Sequence, residues 1–344
     1  MTTRRDFLKD TAATAGVIFT GCSLLDAAPA RAQAPGKKRL PVMLKGKRIK
    51  TIDVHAHCLI PEALALLPAD EAKGVFPATK GAKQFEIVLD ERLAGMDAQG
   101  VDMEVLSINP WWYRKERELV TKIIQVQNEG LAALCAKQPD RLAAFASLAL
   151  QYPDLAVQQL DDAVRKYGLK GVAIGGSVAG EDFAEEKFHP VWAKAEELGV
   201  TLFIHPQSTP ELNKRFKGNG WLSNVIGNPL DTTIALQHLI FEGTLDKYPR
   251  LKVCAAHGGG YLGSYAPRSD HGCFISPQNC NPNIVLKKKT AVRGVNEQLG
   301  ISTMRCSKQF SAADGRIVKE GDSSGNTNTC AFAAPALRKS DDEV

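Results

Sequence analysis

From Lys50 to His257, short apolar runs alternate with stretches in which apolar residues return every three or four positions. Short runs of that kind suit buried strands, and the longer repeat marks amphipathic helices. The pattern predicts strands over residues 52–57, 101–108, 142–148, 171–175, 200–205 and 251–257. It predicts helices over 91–98, closed by Gly100, over 113–137 with Ile123, Ile124, Val126, Leu131 and Leu134 on one face, and over 154–167, stopped by Gly168. Two more follow, over 190–198, ended by Gly199, and over 230–245. Strand-helix alternation argues for a parallel sheet with helices outside. The fold class is α/β, a (β/α)8 TIM-barrel-like arrangement. An open doubly wound sheet is the alternative, but the glycine fingerprint of a dinucleotide site is missing after strand one.

Both ends of the chain depart from this rhythm. At the start, Arg4-Arg5-Asp6-Phe7-Leu8-Lys9 precedes an apolar stretch from Thr11 to Leu25, and Ala30-Arg31-Ala32 offers a small-x-small cleavage pattern. This resembles a twin-arginine signal, so residues 1–32 read as an address for the export machinery and the protein as periplasmic or secreted. The apolar stretch is too short to span a bilayer comfortably. Residues 33–49 read as a linker and 50–289 as the barrel domain. After Lys289 the periodicity stops, and residues 290–344 become polar and rich in small residues, with only Ile317-Val318 and residues 331–337 apolar. The expectation is an incomplete barrel followed by a tail from a changed reading frame.

Composition narrows the partners. Of 344 residues, 43 are Lys or Arg and 38 are Asp or Glu, a net charge of +5, and no basic stripe studded with aromatics suggests nucleic acid. Eight cysteines are dispersed without a C-x-x-C pair. Cys58, Cys135 and Cys254 sit among apolar residues and read as buried thiols. Cys273 and Cys280 are near enough to bridge, and the sequence leaves both states open.

The chemistry lies in the histidines. Along a regular strand alternate side chains share a face, so Asp53, His55 and His57 are expected to point one way. Two imidazoles so spaced can converge on one ion, and neutral imidazole is a common zinc ligand. His205 and His257 end the fifth and sixth strands, where a (β/α)8 barrel keeps its chemistry. Asp53 either orients a ligand or bonds nearby backbone. Trp111, Trp112 and Arg114 follow the second strand and could wall a pocket for a carboxylate, with Arg268 a further cation after the glycine run. His189 reads as a local cap and His238 as structural.

Ile52-Asp53-Val54-His55-Ala56-His57, Phe203-Ile204-His205-Pro206 and Ala256-His257-Gly258-Gly259-Gly260 together resemble the amidohydrolase-related family. The resemblance is to its branch of metal-dependent decarboxylases, typified by aminocarboxymuconate semialdehyde decarboxylase. It extends over about residues 50–289, with Asn228-Pro229 and Lys247-Tyr248-Pro249 included, and is lost in the tail. It implies one divalent metal ion, usually zinc, with His55, His57 and His205 as ligands and His257 acting beside the metal. It also implies a last-strand aspartate ligand, for which the tail has no counterpart. The function implied is decarboxylation of a small carboxylated, aromatic substrate. A metal-dependent hydrolase of an amide, lactone or ester is the alternative within enzymes, and an inactive periplasmic binding protein the alternative outside them. A homodimer is compatible with either.

Overall fold

The computed structural model describes residues 40–44, 46–75, 87–206 and 210–280, together with 310–311, 317–318 and 331–333. The unit Met1–Lys37, which carries the signal-like residues, and the proposed frame change at Lys289–Thr290 both lie outside the described residues. The elements below belong to the unit Lys38–Val344.

A two-stranded antiparallel ribbon, β1 (Met43–Leu44) and β2 (Lys47–Arg48), opens the fold where the sequence suggests only a linker. Asp102 ties it down, pairing with Arg48 and accepting the Thr51 amide at 2.7 Å. The strand-helix units follow in chain order. They are β3 (Thr51–His57), α1 (Pro61–Leu64), α2 (Ala69–Gly74), α3 (Leu89–Gln99), β4 (Met103–Ser107), α4 (Arg117–Lys137), β5 (Leu142–Ala144), α5 (Pro153–Arg165) and β6 (Gly171–Ile174). Then come α6 (His189–Leu198), β7 (Thr201–Ile204), α7 (Asn228–Phe241), α8 (Thr244–Lys247), β8 (Lys252–Ala255) and α9 (Leu262–Ile275). The glycines foreseen as stops do that work: Gly100, with φ 75°, and Gly199, with φ 63°, close α3 and α6 in the left-handed conformation that a side chain resists. Gly243 (φ 81°) divides the single helix expected over 230–245 into α7 and α8.

The strands pair in parallel in sequence order, β3-β4-β5 in one sheet and β6-β7-β8 in the other. A parallel bridge between Ala146 and Val172 joins the two, so six consecutive units run side by side as in a (β/α)8 barrel. Alternation along the strands sorts the apolar residues into two layers. Leu106, Ala144, Val172, Ile174, Leu202, Ile204, Val253 and Ala255 face the helices. Val54, Val105, Phe145, Ala173, Phe203 and Cys254 form the inner layer, one from each strand or its immediate continuation.

Three short strands lie along the two outer edges. β9 (Phe310–Ser311) pairs with β10 (Ile317–Val318), which runs parallel to β3 at Thr51 and Ile52. β11 (Ala331–Ala333) runs antiparallel to β8. The described residues of the tail therefore pair along both edges, as two- and three-residue pieces. Cys273 and Cys280 are disulfide-bonded, while Cys58 and Cys254 are buried thiols and Cys135 is a half-buried one.

Phe203 is the centre of the inner layer: it is fully buried and stacks on Phe145 with ring centroids 5.3 Å apart. Phe203→Ala opens a cavity that the parallel strands cannot close, so it should lower stability by about 3–5 kcal/mol, read from urea denaturation midpoints.

Candidate metal centre

The first strand is not regular. Asp53 lies opposite Glu104, but Ala56 lies opposite Leu106, so β3 carries one more residue than β4 over the same interval. This is a β-bulge, which re-aims the side chains beyond it. Ile52 and Val54 pack in the inner layer, so Asp53 between them faces the other way, contrary to the expectation that Asp53, His55 and His57 share a face. Its carboxylate has a different task. Asp53 Oδ1 accepts the backbone amide of His55 at 2.9 Å, supplying a partner inside the bulge.

Beyond the bulge four imidazoles meet. His55 Nε2 and His57 Nε2 are 2.7 Å apart. The His205 ring centroid lies 4.5 Å from those of both His55 and His57, and 5.0 Å from that of His257. His55 and His257 are 5.6 Å apart by the same measure. One nitrogen from each of His55, His205 and His257 falls within 4.8 Å of the others. His257, to which the resemblance gives a role beside the ion, thus groups with two of the residues it casts as ligands, His55 and His205. Phe203 lies directly against His55, with centroids 5.6 Å apart, and closes the pocket from within.

Burial sets the electrostatics. It holds His57 and His205 well below the ordinary imidazole range, and their histidine neighbours add to the depression. It takes His257 down to about 3, with His55 contributing. All three are neutral at pH 7 and offer lone pairs, the state a cation requires. The donor set fits a divalent ion: imidazole nitrogens bind zinc at about 2.0–2.1 Å, so ligands of one ion stand within roughly 4 Å of each other.

Sequence reasoning missed two residues that touch this pocket and a third, Asp231, beside one of them in the chain. Arg92 of α3 is buried, pairs with buried Glu104, and donates to the His57 carbonyl oxygen at 3.1 Å. Thr232 of α7 places Oγ1 3.3 Å from His257 Nδ1. Asp231 packs against Gly176, where an added Cβ would sit 2.1 Å from its Oδ2, and burial with Glu211 and Asp182 nearby raises its carboxyl to about 7. The helical periodicity placed Arg92 and Thr232 on helices, but which face met the strands was not readable.

Of the residues foreseen as a substrate wall, Trp112 is corrected. It is fully buried and its indole nitrogen donates to Leu148 O at 2.7 Å, so the ring is committed to the core. Trp111 is half-buried against it, with ring centroids 5.7 Å apart. Arg114 and Arg268 are exposed, the latter on α9. His189 contacts Ala184 O and Lys247 Nζ, and His238 lies near Asp182 and Glu242, which leaves both outside the cluster.

Comparisons with known proteins give the family. A family model described as Amidohydrolase matches residues 52–272. The chain is 31% identical over 195 residues to 2-amino-3-carboxymuconate-6-semialdehyde decarboxylase of Dictyostelium discoideum, covering 56% of this chain and 53% of that protein. It is 30% identical over 233 residues to gamma-resorcylate decarboxylase of a Rhizobium species, covering 64% and 70% respectively. The chain therefore spans about half of the first relative and somewhat over two thirds of the second. The fold is similar to that of dihydroxybenzoic acid decarboxylase from Polaromonas sp. JS666, solved with bound manganese and 2-nitroresorcinol. The TM-score is 0.59 at 23% identity, with 73% of this chain and 76% of that one covered.

The depressed histidines make stability depend on pH in one direction. Unfolding returns each imidazole to about 6.5, so between that value and the folded one the unfolded chain binds more protons. Stability of the metal-free protein is then fully present above about pH 6.5. It is lost as pH falls towards the folded values, that of His257 being about 3. The slope is at most roughly 1.4 kcal/mol per pH unit for each histidine. Urea midpoints at pH 7.5 and pH 5 should differ in that sense, and the difference should shrink in His57→Gln.

Proposed function

The chain belongs to the amidohydrolase family, and on that premise we propose that it is a metal-dependent carboxy-lyase releasing carbon dioxide from a small aromatic carboxylic acid. The observation that carries the reading is the buried cluster of neutral imidazoles at the strand ends. The decarboxylase relatives supply the reaction class. We assign the ion to His55, His57 and His205 and the proton-moving role to His257. An imidazole-rich set suits zinc; manganese is what the Polaromonas protein holds.

A divalent ion there supplies Lewis-acid polarisation of substrate oxygens. The chain's own residues do the rest. β3 and β7 fix three imidazoles on a stacked aromatic floor, so the pocket is rigid before substrate arrives. Burial excludes water, which strengthens every charge interaction inside. Decarboxylation breaks the bond between ring and carboxylate carbon, and the electron pair left on the ring takes a proton. His257 Nε2 takes a proton from solvent and passes it to that carbon, and its half-buried position keeps it within reach of both.

The export signal read at Arg4-Arg5 makes the site of action periplasmic, in this proposal. An Arg4→Lys/Arg5→Lys double substitution should leave the precursor in the cytoplasm, followed by cell fractionation.

The catalytic reading is tested with a panel of hydroxybenzoic acids and metal-loaded full-length protein, by carbon dioxide release. His205→Ala should lose bound metal by elemental analysis. His257→Ala should retain the metal and lower the rate by about 10²–10⁴-fold. Turnover of a lactone or amide panel in place of the acids would replace the lyase with a hydrolase.

A further inference from the structure

We propose that Thr232 fixes His257 as the tautomer protonated on Nδ1, leaving Nε2 with the lone pair that binds a cation or takes a proton. Thr232 Oγ1 donates to the carbonyl of Asn228, one turn earlier in α7, at 3.0 Å. A hydroxyl has one hydrogen, so only lone pairs remain to face His257 Nδ1 at 3.3 Å. Two acceptors do not bond, and the hydrogen on that contact therefore belongs to the imidazole.

The next residue repeats the arrangement with a donor whose direction is fixed. Thr233 Oγ1 donates to Pro229 O at 2.7 Å and accepts the backbone amide of Tyr261 at 2.7 Å. An amide can only donate, so this second threonine is an acceptor from the same loop beyond doubt. Two adjacent threonines of α7 thus take hydrogens from the two ends of the loop 257–261. The loop is held in place to receive them. His257 has φ 58°, a left-handed value unusual for a residue with a side chain. Gly260 lies so close to α7 that an added Cβ would stand 2.1 Å from Pro229 O. His257 is presented to Thr232 by a backbone that does not relax freely.

Thr232 is a positioning residue in this proposal, acting through His257. The tautomer is independent of the carboxy-lyase reading; only its consequence for turnover rests on that reading. The test uses the full-length protein, metal-free and labelled with 15N-histidine, at pH 8. Two-bond nitrogen–proton correlations report which ring nitrogen carries hydrogen, and His257→Asn assigns the signals. Wild type and Thr232→Ser should show His257 protonated on Nδ1, and Thr232→Val should show a mixture or the Nε2 form. A wild-type spectrum with the proton on Nε2, or Thr232→Val unchanged from wild type, overturns the proposal. Should Thr232→Val fail to fold, the wild-type spectrum alone decides. In turnover, Thr232→Val should lose at least about tenfold and Thr232→Ser should recover most of it. A correct tautomer without carbon dioxide release would sink the lyase reading and leave this one standing.

Discussion

Four imidazoles packed ring against ring cannot all carry protons. Two unit charges about 4 Å apart repel by roughly 4 kcal/mol even at the effective dielectric of a protein surface, and by more inside. Burial adds its own penalty for each charge. Both effects push the same way, and His57, His205 and His257 are held neutral. The cluster thereby becomes what a cation needs, several neutral imidazoles gathered at one place with no positive charge to repel it. The same burial takes polar imidazoles out of water, which is costly. Stability and function are in tension here, and a bound ion relieves it.

Two backbone irregularities bring the rings together. An extra residue in β3 turns His55 and His57 inward where strict alternation would have set them in step with Asp53. A left-handed residue at the end of β8 turns His257 back towards α7. Neither is free: the bulge breaks a ladder, and a non-glycine residue in the left-handed region costs of order 1–2 kcal/mol. Each is held by a side chain of its neighbourhood, Asp53 on the His55 amide and the Thr232–Thr233 pair on the loop 257–261. Both departures from ideal geometry lie at the histidine cluster, as strain at functional sites often does.

How much of this could be read from residues alone follows from the range of each interaction. Strand and helix order came through because apolar periodicity and glycine stops are local signals. The histidines were visible as candidates because they end three apolar runs. The bulge was not visible, since Asp53-Val54-His55 fits regular alternation equally well and only the register with β4 distinguishes the two. Trp112 was misjudged for a similar reason. A tryptophan after a strand can face a pocket or the core, and its indole found Leu148 O, 36 residues away. Arg92, Thr232 and Asp231 act across distances in sequence that periodicity does not encode.

The edges of the sheet show which of these contacts matters most to the site. In a closed barrel every strand is held from both sides. Here the ladder between β10 and β3 ends at Ile52, before the bulge begins, whereas β11 follows β8 as far as Ala255. The histidine-bearing half of β3 is thus paired with β4 on one side, while the described tail strand on the other side stops short. Its order rests on contacts that come from other directions. Asp53 braces it from within, and Arg92 reaches the His57 carbonyl from α3 while anchored on Glu104 of β4. A buried guanidinium is an expensive brace, since desolvation consumes much of the attraction to its partner. Its retention at this place is understandable if the alternative is a strand end free to shift, and with it the two imidazoles that stand 2.7 Å apart.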